Sequence, residues 1–203
     1  MDKKLAELIG IILGDGSINI YPKINHYRIK ITLDSINDKT YSSYIRDLIR
    51  DIFKESPIIK LRKNENSVDL LLFKRKMIRY LLEIGLKKSP KWNRAIIPPQ
   101  FLTRKLEKYV LRGYFDTDGS VVLANNNGIV YPRLEMKICP SPMQDQFIGI
   151  LKRNNFKFGV YQIGKGEVRI QLNGVSELKK WERLIGFSNE KHLHKFRKTF
   201  IKA

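Results

Sequence analysis

Asp15 and Asp118 close two closely similar runs, Leu8-Ile9-Gly10-Ile11-Ile12-Leu13-Gly14-Asp15-Gly16 and Leu111-Arg112-Gly113-Tyr114-Phe115-Asp116-Thr117-Asp118-Gly119, which lie 103 residues apart. Each run reads as a mostly apolar helix that ends in Asp-Gly. A helix C-terminus carries unsatisfied carbonyls and the negative pole of the dipole, so an Asp there is unfavourable. Two such ends brought together are worse, unless divalent cations lie between them. Carboxylate and carbonyl oxygens are hard ligands that suit Mg²⁺. On a strongly basic chain, paired carboxylates point to metal-assisted hydrolysis of phosphodiester bonds. A single Asp-Gly is usually a turn; two long matches inside a repeated order of elements are not explained that way.

The elements that must position these acids repeat as well. Gly10 and Gly14 are four apart, as are Gly113 and Thr117, giving each helix a stripe of small residues that lets two backbones approach closely. Alternating strands follow, Tyr27 to Thr32 in one half and Arg133 to Ile138 in the other, and then amphipathic helices over 41–53 and 143–156. Two short strands come next in each half: Ile58 to Arg62 with Val68 to Phe73, and Val160 to Ile163 with Val168 to Leu172. Leu81-Leu82-Glu83-Ile84-Gly85-Leu86 is answered by Trp181-Glu182-Arg183-Leu184-Ile185-Gly186-Phe187. The order is helix, two strands, helix, two strands, helix, twice, which predicts an α+β fold of two tandem αββαββα subdomains. Residues 1–88 and 103–203 form the halves, joined by a Pro-rich linker over 89–102. Four amphipathic strands per half need helices on one face only, leaving a polar face open. Two such sheets make a pseudo-twofold saddle shaped for duplex DNA.

Composition narrows the partner. The 203 residues hold 39 Lys and Arg against 20 Asp and Glu, for a net +19, and the surplus divides almost evenly, +9 over 1–102 and +10 over 103–203. That even spread suggests one continuous basic surface built from both halves rather than a basic tail. Cys139 is the only cysteine, which excludes an internal disulfide and favours an intracellular protein that is not secreted. No apolar run has transmembrane length, so no membrane partner is expected. His192 and His194 are two apart and would diverge on a helix, leaving little basis for a zinc site. The basic cluster Lys191, Lys195, Arg197 and Lys198 suits phosphate contact, and Trp92 suits packing or a clasp between the halves.

The two nonapeptides resemble the LAGLIDADG motif, and from Leu5 to about Lys198 the chain is similar to single-chain, double-motif LAGLIDADG homing endonucleases. The resemblance implies a monomeric, site-specific double-strand DNA endonuclease that uses Mg²⁺, with Mn²⁺ able to substitute, cuts a long asymmetric site and leaves short 3′ overhangs. It makes Asp15 and Asp118 the catalytic metal ligands and adds the backbone carbonyls of Gly14 and Thr117. Asp116 matches the motif's earlier acid, but Leu13 holds that place in the first copy, so Asp116 reads as structural or solvated. The family's basic residue near the end of the second strand has no counterpart at Leu33 and Asp34 or at Pro140 and Ser141; Lys30 and Lys137 are the substitutes. An RNA maturase with intron RNA as partner, or a repressor, on the same scaffold is the alternative. Retention of both acids favours cleavage. An intein setting is disfavoured, because two complete halves leave no room for splicing segments.

Strand parity from Ser17 places Ser17, Asn19 and Tyr21 on the open face, together with Arg28, Lys30 and Thr32, and in the other half Arg133, Glu135 and Lys137. Lys60, Arg62, Asp69, Gln162, Arg169 and Gln171 extend the DNA-contact set along the outer strands. Arg suits guanine, and Asn or Gln suits adenine.

Overall fold

The computed structural model describes residues 2–127 and 129–201. Its first half runs α1 (Lys3–Leu13), β1 (Gly16–Tyr21), β2 (His26–Asp34), α2 (Lys39–Phe53), β3 (Ile58–Leu61), β4 (Ser67–Leu72) and α3 (Arg75–Glu83). The second half repeats this as α4 (Glu107–Asp118), β5 (Gly119–Asn126), β6 (Ile129–Ile138), α5 (Met143–Arg153), β7 (Gly159–Gln162), β8 (Val168–Asn173) and α6 (Val175–Leu184). The strands form two antiparallel sheets with matching orders, β1-β2-β4-β3 and β5-β6-β8-β7. The fold is therefore two tandem αββαββα subdomains in a pseudo-twofold saddle, as the repeated sequence predicts.

The pairing of α1 with α4 is built on glycine. A Cβ at Gly10 would stand 2.1 Å from the Val110 carbonyl oxygen, and one at Gly113 would stand 2.2 Å from that of Glu7. Each helix thus presses its glycine onto the partner's backbone. Leu5 to Leu13 is buried throughout, Glu7 included. Glu7 is only 2% exposed, and it accepts hydrogen bonds from Tyr44 Oη at 2.9 Å, Ser188 Oγ at 2.6 Å and the Arg112 guanidinium. A buried carboxylate is tolerated when paired and bonded in this way, and these partners tie α1 to α2, α4 and the C-terminal segment.

In each half the strands carry their apolar residues toward the helices. Ile29, Ile31, Leu33, Val68, Leu70 and Leu72 face the first core, and Leu134, Met136, Ile138, Val168, Ile170 and Leu172 the second. Gly85 and Gly186 end α3 and α6 at φ values of 114° and 74°, the left-handed cap position that glycine fills most easily.

One element was not anticipated. A further helix, α7 (Glu190–Ile201), follows α6. Asp116 explains its placement. Its carboxylate is buried and accepts from the backbone N–H groups of Ser188 at 2.7 Å and Asn189 at 3.2 Å, just before α7 begins. Asn189 Nδ2 returns to the Asp116 carbonyl at 3.1 Å and to Asp38 Oδ1 at 2.8 Å. Asp116 is therefore structural rather than solvated, and burial pushes its carboxyl up to about 8. Lys191, expected to contact phosphate, and His192 join this packing. Lys191 ion-pairs with Asp38 at 2.8 Å, and His192 is buried between the rings of Phe115 and Phe187.

Candidate active site

Helices α1 and α4 descend side by side and end together at the floor of the saddle. A Cβ on Gly14 would lie 1.9 Å from Thr117 Oγ1 and 2.5 Å from Asp118 Oδ2, so the two motif ends abut. Each motif then leads into the strand at one edge of its sheet, β1 from Gly16 and β5 from Gly119. Asp15 is further anchored by its carbonyl, which accepts from Thr32 N at 3.4 Å. Asp15 is half-buried, and Asp118 is exposed on the floor of the cleft.

Both carboxylates are pushed up. Burial carries Asp15 to about 6, opposed by the nearby Lys91 ammonium and reinforced by Asp38. Burial carries Asp118 to about 7, reinforced by the charge of Asp15 and opposed by Lys91. Asp118 meets water in the cleft while lying among crowded protein atoms, so screening there moderates its shift. Two acids raised in this way, Asp118 partly by Asp15, form a helix-end pair short of positive charge.

The cation that the protein itself supplies is Lys91. Its ammonium donates to the Leu13 carbonyl at 2.8 Å and to the Gly14 carbonyl, and burial lowers its own pKa despite the pull of Asp118 and Asp15. Lys91 comes from the linker, which is fastened to both halves. Ser89 N donates to the Ile18 carbonyl at 2.9 Å, and Ser89 Oγ accepts from Ile18 N at 3.1 Å. Asn93 N donates to the Pro140 carbonyl, while Gln146 brackets Ile97 with bonds of 2.7 and 2.9 Å. A cavity of about 390 Å³ opens beside Asp118, lined by Gly14, Lys91, Trp92, Lys137, Cys139 and Glu167 among others. The linker thus delivers a basic residue that strand periodicity could not locate. The one signal in the sequence was a lysine between prolines at the junction of two motif-bearing halves. Lys137 lines the same cavity and Lys30 does not.

These residues fit a divalent cation. Two carboxylates and the Gly14 carbonyl are all hard oxygen donors, and an ammonium already occupies that carbonyl. Among the described residues, no group of three or more His, Cys, Asp or Glu side chains stands close enough to hold a metal. A site here would consequently complete its shell with main-chain oxygens, water and substrate.

The open faces of the sheets carry most of the anticipated contact residues. Pairings Ser17↔Lys30 and Asn19↔Arg28 place those four on one face, with Thr32, Asp69 and Lys60 in the next row. Asp69 is not free to contact a ligand. Its carboxylate accepts from Arg62 through two nitrogens at 2.9 and 3.0 Å and from Thr32 Oγ1 at 2.7 Å, which lowers its pKa against the opposing effect of burial. Its role is to fix the Arg62 guanidinium. In the second half Glu135 accepts from Arg133 at 3.2 Å and Gln171 at 3.1 Å. Gln162 departs from the expectation. It pairs with buried Val168 and so points to the helix side, whereas Tyr161, paired with Arg169, holds the open-face place. Neighbouring residues of a strand point to opposite faces, so Tyr161 rather than Gln162 shares the face of Arg169.

Comparison with known proteins agrees with this architecture. The chain shares its fold with I-DmoI in complex with DNA and Mn, at a TM-score of 0.65 and 16% identity over 92% of this chain and 97% of that one. The homing endonuclease I-WcaI bound to its DNA recognition sequence gives 0.66 and 17% over 96% and 85%. The LAGLIDADG homing endonuclease I-LtrWI bound to target DNA gives 0.62 and 11% over 98% and 90%. A replication factor C small subunit of Methanocaldococcus jannaschii is 24% identical over 96% of this chain, which spans only 10% of that relative's length. The model of the LAGLIDADG DNA endonuclease family matches residues 6–179, including both motif helices. With that match covering most of its length, the chain belongs to the LAGLIDADG DNA endonuclease family.

Proposed function

We propose that this chain is a monomeric, site-specific endonuclease that cuts both strands of a long, asymmetric DNA duplex with Mg²⁺ or Mn²⁺. The observation that carries the reading is the abutment of Gly14 against Thr117 and Asp118, which sets one acid from each half at a shared floor. In hydrolysis a water oxygen attacks phosphorus, the bond to the 3′ oxygen breaks, and that oxygen leaves as a hydroxyl after taking a proton. Divalent ions bound here would supply an activated water and neutralise charge on the phosphate. Asp15, Asp118 and the carbonyls of Gly14 and Thr117 would hold them. Lys91 is placed to stabilise the phosphate, once a cation takes its place on the Gly14 carbonyl. Lys137, on the same cavity, would orient water or bind the flanking phosphate. The two acids lie near the pseudo-twofold axis, one per strand, which suits staggered cuts leaving short 3′ overhangs.

Replacing Lys91 with Met is expected to lower the cleavage rate about 100-fold, the scale of losing one positioned proton donor or charge. DNA affinity should stay within about tenfold. Single-turnover cleavage alongside a binding titration checks this, and an unchanged rate would remove Lys91 from the site.

The raised carboxyls give a linked prediction. Between their ordinary value of 3.8 and the values of about 6 and 7 reached here, the folded protein holds protons that the unfolded chain has released. Metal-free stability therefore falls as pH rises through that window. Protons held on these acids compete with Mg²⁺, so Mg²⁺ should raise the Tm by about 3 °C at pH 8, where both are ionised, and hardly at all at pH 5. Equal shifts at both pH values would place Mg²⁺ elsewhere.

The basic saddle also implies a steep salt dependence. If six or more phosphates are neutralised, affinity should fall about 1,000-fold between 50 and 200 mM salt. A flat response in a filter-binding or fluorescence titration would point to a different ligand.

A further inference from the structure

The open face of the first sheet is not uniformly polar. Ile58 pairs with Leu71, and Leu71 with Lys30, so both apolar side chains share the face of Ser17 and Lys30. Tyr21 and its cross-strand partner His26 lie on that face too, and Phe73, just past the end of β4, joins it through its ring contact with His26. The rings connect: His26 lies 5.7 Å from Tyr21 and 6.1 Å from Phe73. Ile58, Phe73 and Tyr21 are 58%, 45% and 54% exposed. Ile58, Leu71, Phe73, His26 and Tyr21 thus form an apolar strip crossing the sheet diagonally, next to Arg28 and Lys30. The matching positions of the second sheet, set by the equivalent pairings, are Gly159, Gln171, Asn173, Tyr131 and Ala124. There Gln171 bonds with Glu135, the neighbours are Arg133 and Arg169, and the exposed rings on this face, Tyr131 and Tyr161, each carry a hydroxyl that can hydrogen-bond.

A large apolar surface beside basic side chains, continuous with a duplex-binding face, has a specific counterpart in DNA. The major groove is polar except for one group, the C5-methyl of thymine, and apolar side chains recognise it by contact. We propose that the first sheet reads its half-site through thymine methyl groups on the strip Tyr21, His26, Leu71, Phe73 and Ile58. The second sheet reads the other half-site by hydrogen bonding. The two halves of the target then differ in kind, so the enzyme can set its orientation on DNA although its scaffold is pseudo-symmetric. The inference rests on the DNA-endonuclease reading and specifies the chemistry of its substrate.

The test starts with a duplex selected from a randomised library by binding in Ca²⁺ and cleavage in Mg²⁺. The half-site under the first sheet is assigned by footprinting with a cleavage reagent tethered to a cysteine placed at Lys60, in a Cys139→Ser background. That half-site should be enriched in thymine. Replacing its thymines with deoxyuridine, which removes only the methyl groups, should weaken binding about threefold per contacted base. The same replacement in the other half-site should change binding less than twofold. Phe73→Ser and Ile58→Gln, both at exposed positions, should remove the deoxyuridine effect and bring binding of the thymine duplex down to that of the deoxyuridine duplex. Selection of a site indifferent to deoxyuridine in that half, or equally sensitive in both, would overturn the proposal alone. Recovery of no preferred duplex would overturn it together with the endonuclease reading. Self-association of the protein that Phe73→Ser abolishes, with no deoxyuridine effect, would assign the strip to a second copy of the chain.

Discussion

Asparagine in place of Asp15 or Asp118 is expected to reduce double-strand cleavage by at least about 1,000-fold, while specific DNA binding survives in Ca²⁺ or without metal. The reason is charge rather than shape. Asn keeps the volume and one oxygen but removes the full negative charge that a hard dication requires. Each acid is also half of a pair whose other member and Lys91 are already balanced against burial. Deleting one charge should relieve the metal-free protein, because one buried acid fewer is left ionised and, where Asp15 is replaced, Asp118 loses the like charge that raises it. The variants should therefore be inactive yet no less stable than the parent above pH 7. Plasmid cleavage and thermal unfolding read the two effects separately, and a variant that cuts at the parental rate would remove that acid from catalysis.

A side chain at Gly10 or Gly113 is expected to unfold the protein or separate its halves. The contact distances of 2.1 and 2.2 Å to partner carbonyl oxygens are against backbone, which cannot rotate aside as a side chain can. Gly10→Val must push α1 from α4 by more than an ångström. The loss should exceed about 3 kcal/mol, the upper part of the range for overpacked cores. It should also disturb the Glu7 cluster with Tyr44, Arg112 and Ser188, which depends on the same close approach. Helix propensity alone would favour replacing these glycines, so a stabilised Gly10→Ala variant would contradict the packing account. Circular dichroism during denaturant titration distinguishes the outcomes.

Much of this architecture was legible in the sequence because the repeat supplied two independent copies of each signal. The motif helices, alternating strands and Gly85/Gly186 helix ends can be read in either half and cross-checked in the other. Where the copies diverge, legibility fails. The segment after Gly186 follows a different path from that after Gly85: one enters α7, while the other becomes the linker that carries Lys91. Nothing local marks Lys91 as buried, because its burial results from Ser89 binding the edge of β1 and Asn93 binding Pro140, contacts that are distant in sequence. Asp116 was partly readable, since Leu13 in the first copy argues against a shared chemical role; its partners at Ser188 and Asn189 lie more than 70 residues away. Gln162 was hard to place because the face of an outer strand depends on its pairing, and a one-residue change of register exchanges the two faces. The apolar strip was hidden for a related reason: Ile58, Leu71 and Phe73 look like core residues until pairing shows which face they occupy.

The central claim is that one acid from each motif helix serves a common divalent-cation centre at the scissile phosphates. Anomalous diffraction from Mn²⁺ in crystals of the protein bound to its selected duplex tests it most directly. The account predicts Mn²⁺ peaks at the saddle floor, within about 2.0–2.6 Å of oxygens from Asp15 and Asp118, with Lys91 moved off the Gly14 carbonyl. Mn²⁺ coordinated away from these carboxylates, or Lys91 still bonded to Gly14 beside an intact phosphate, would contradict it.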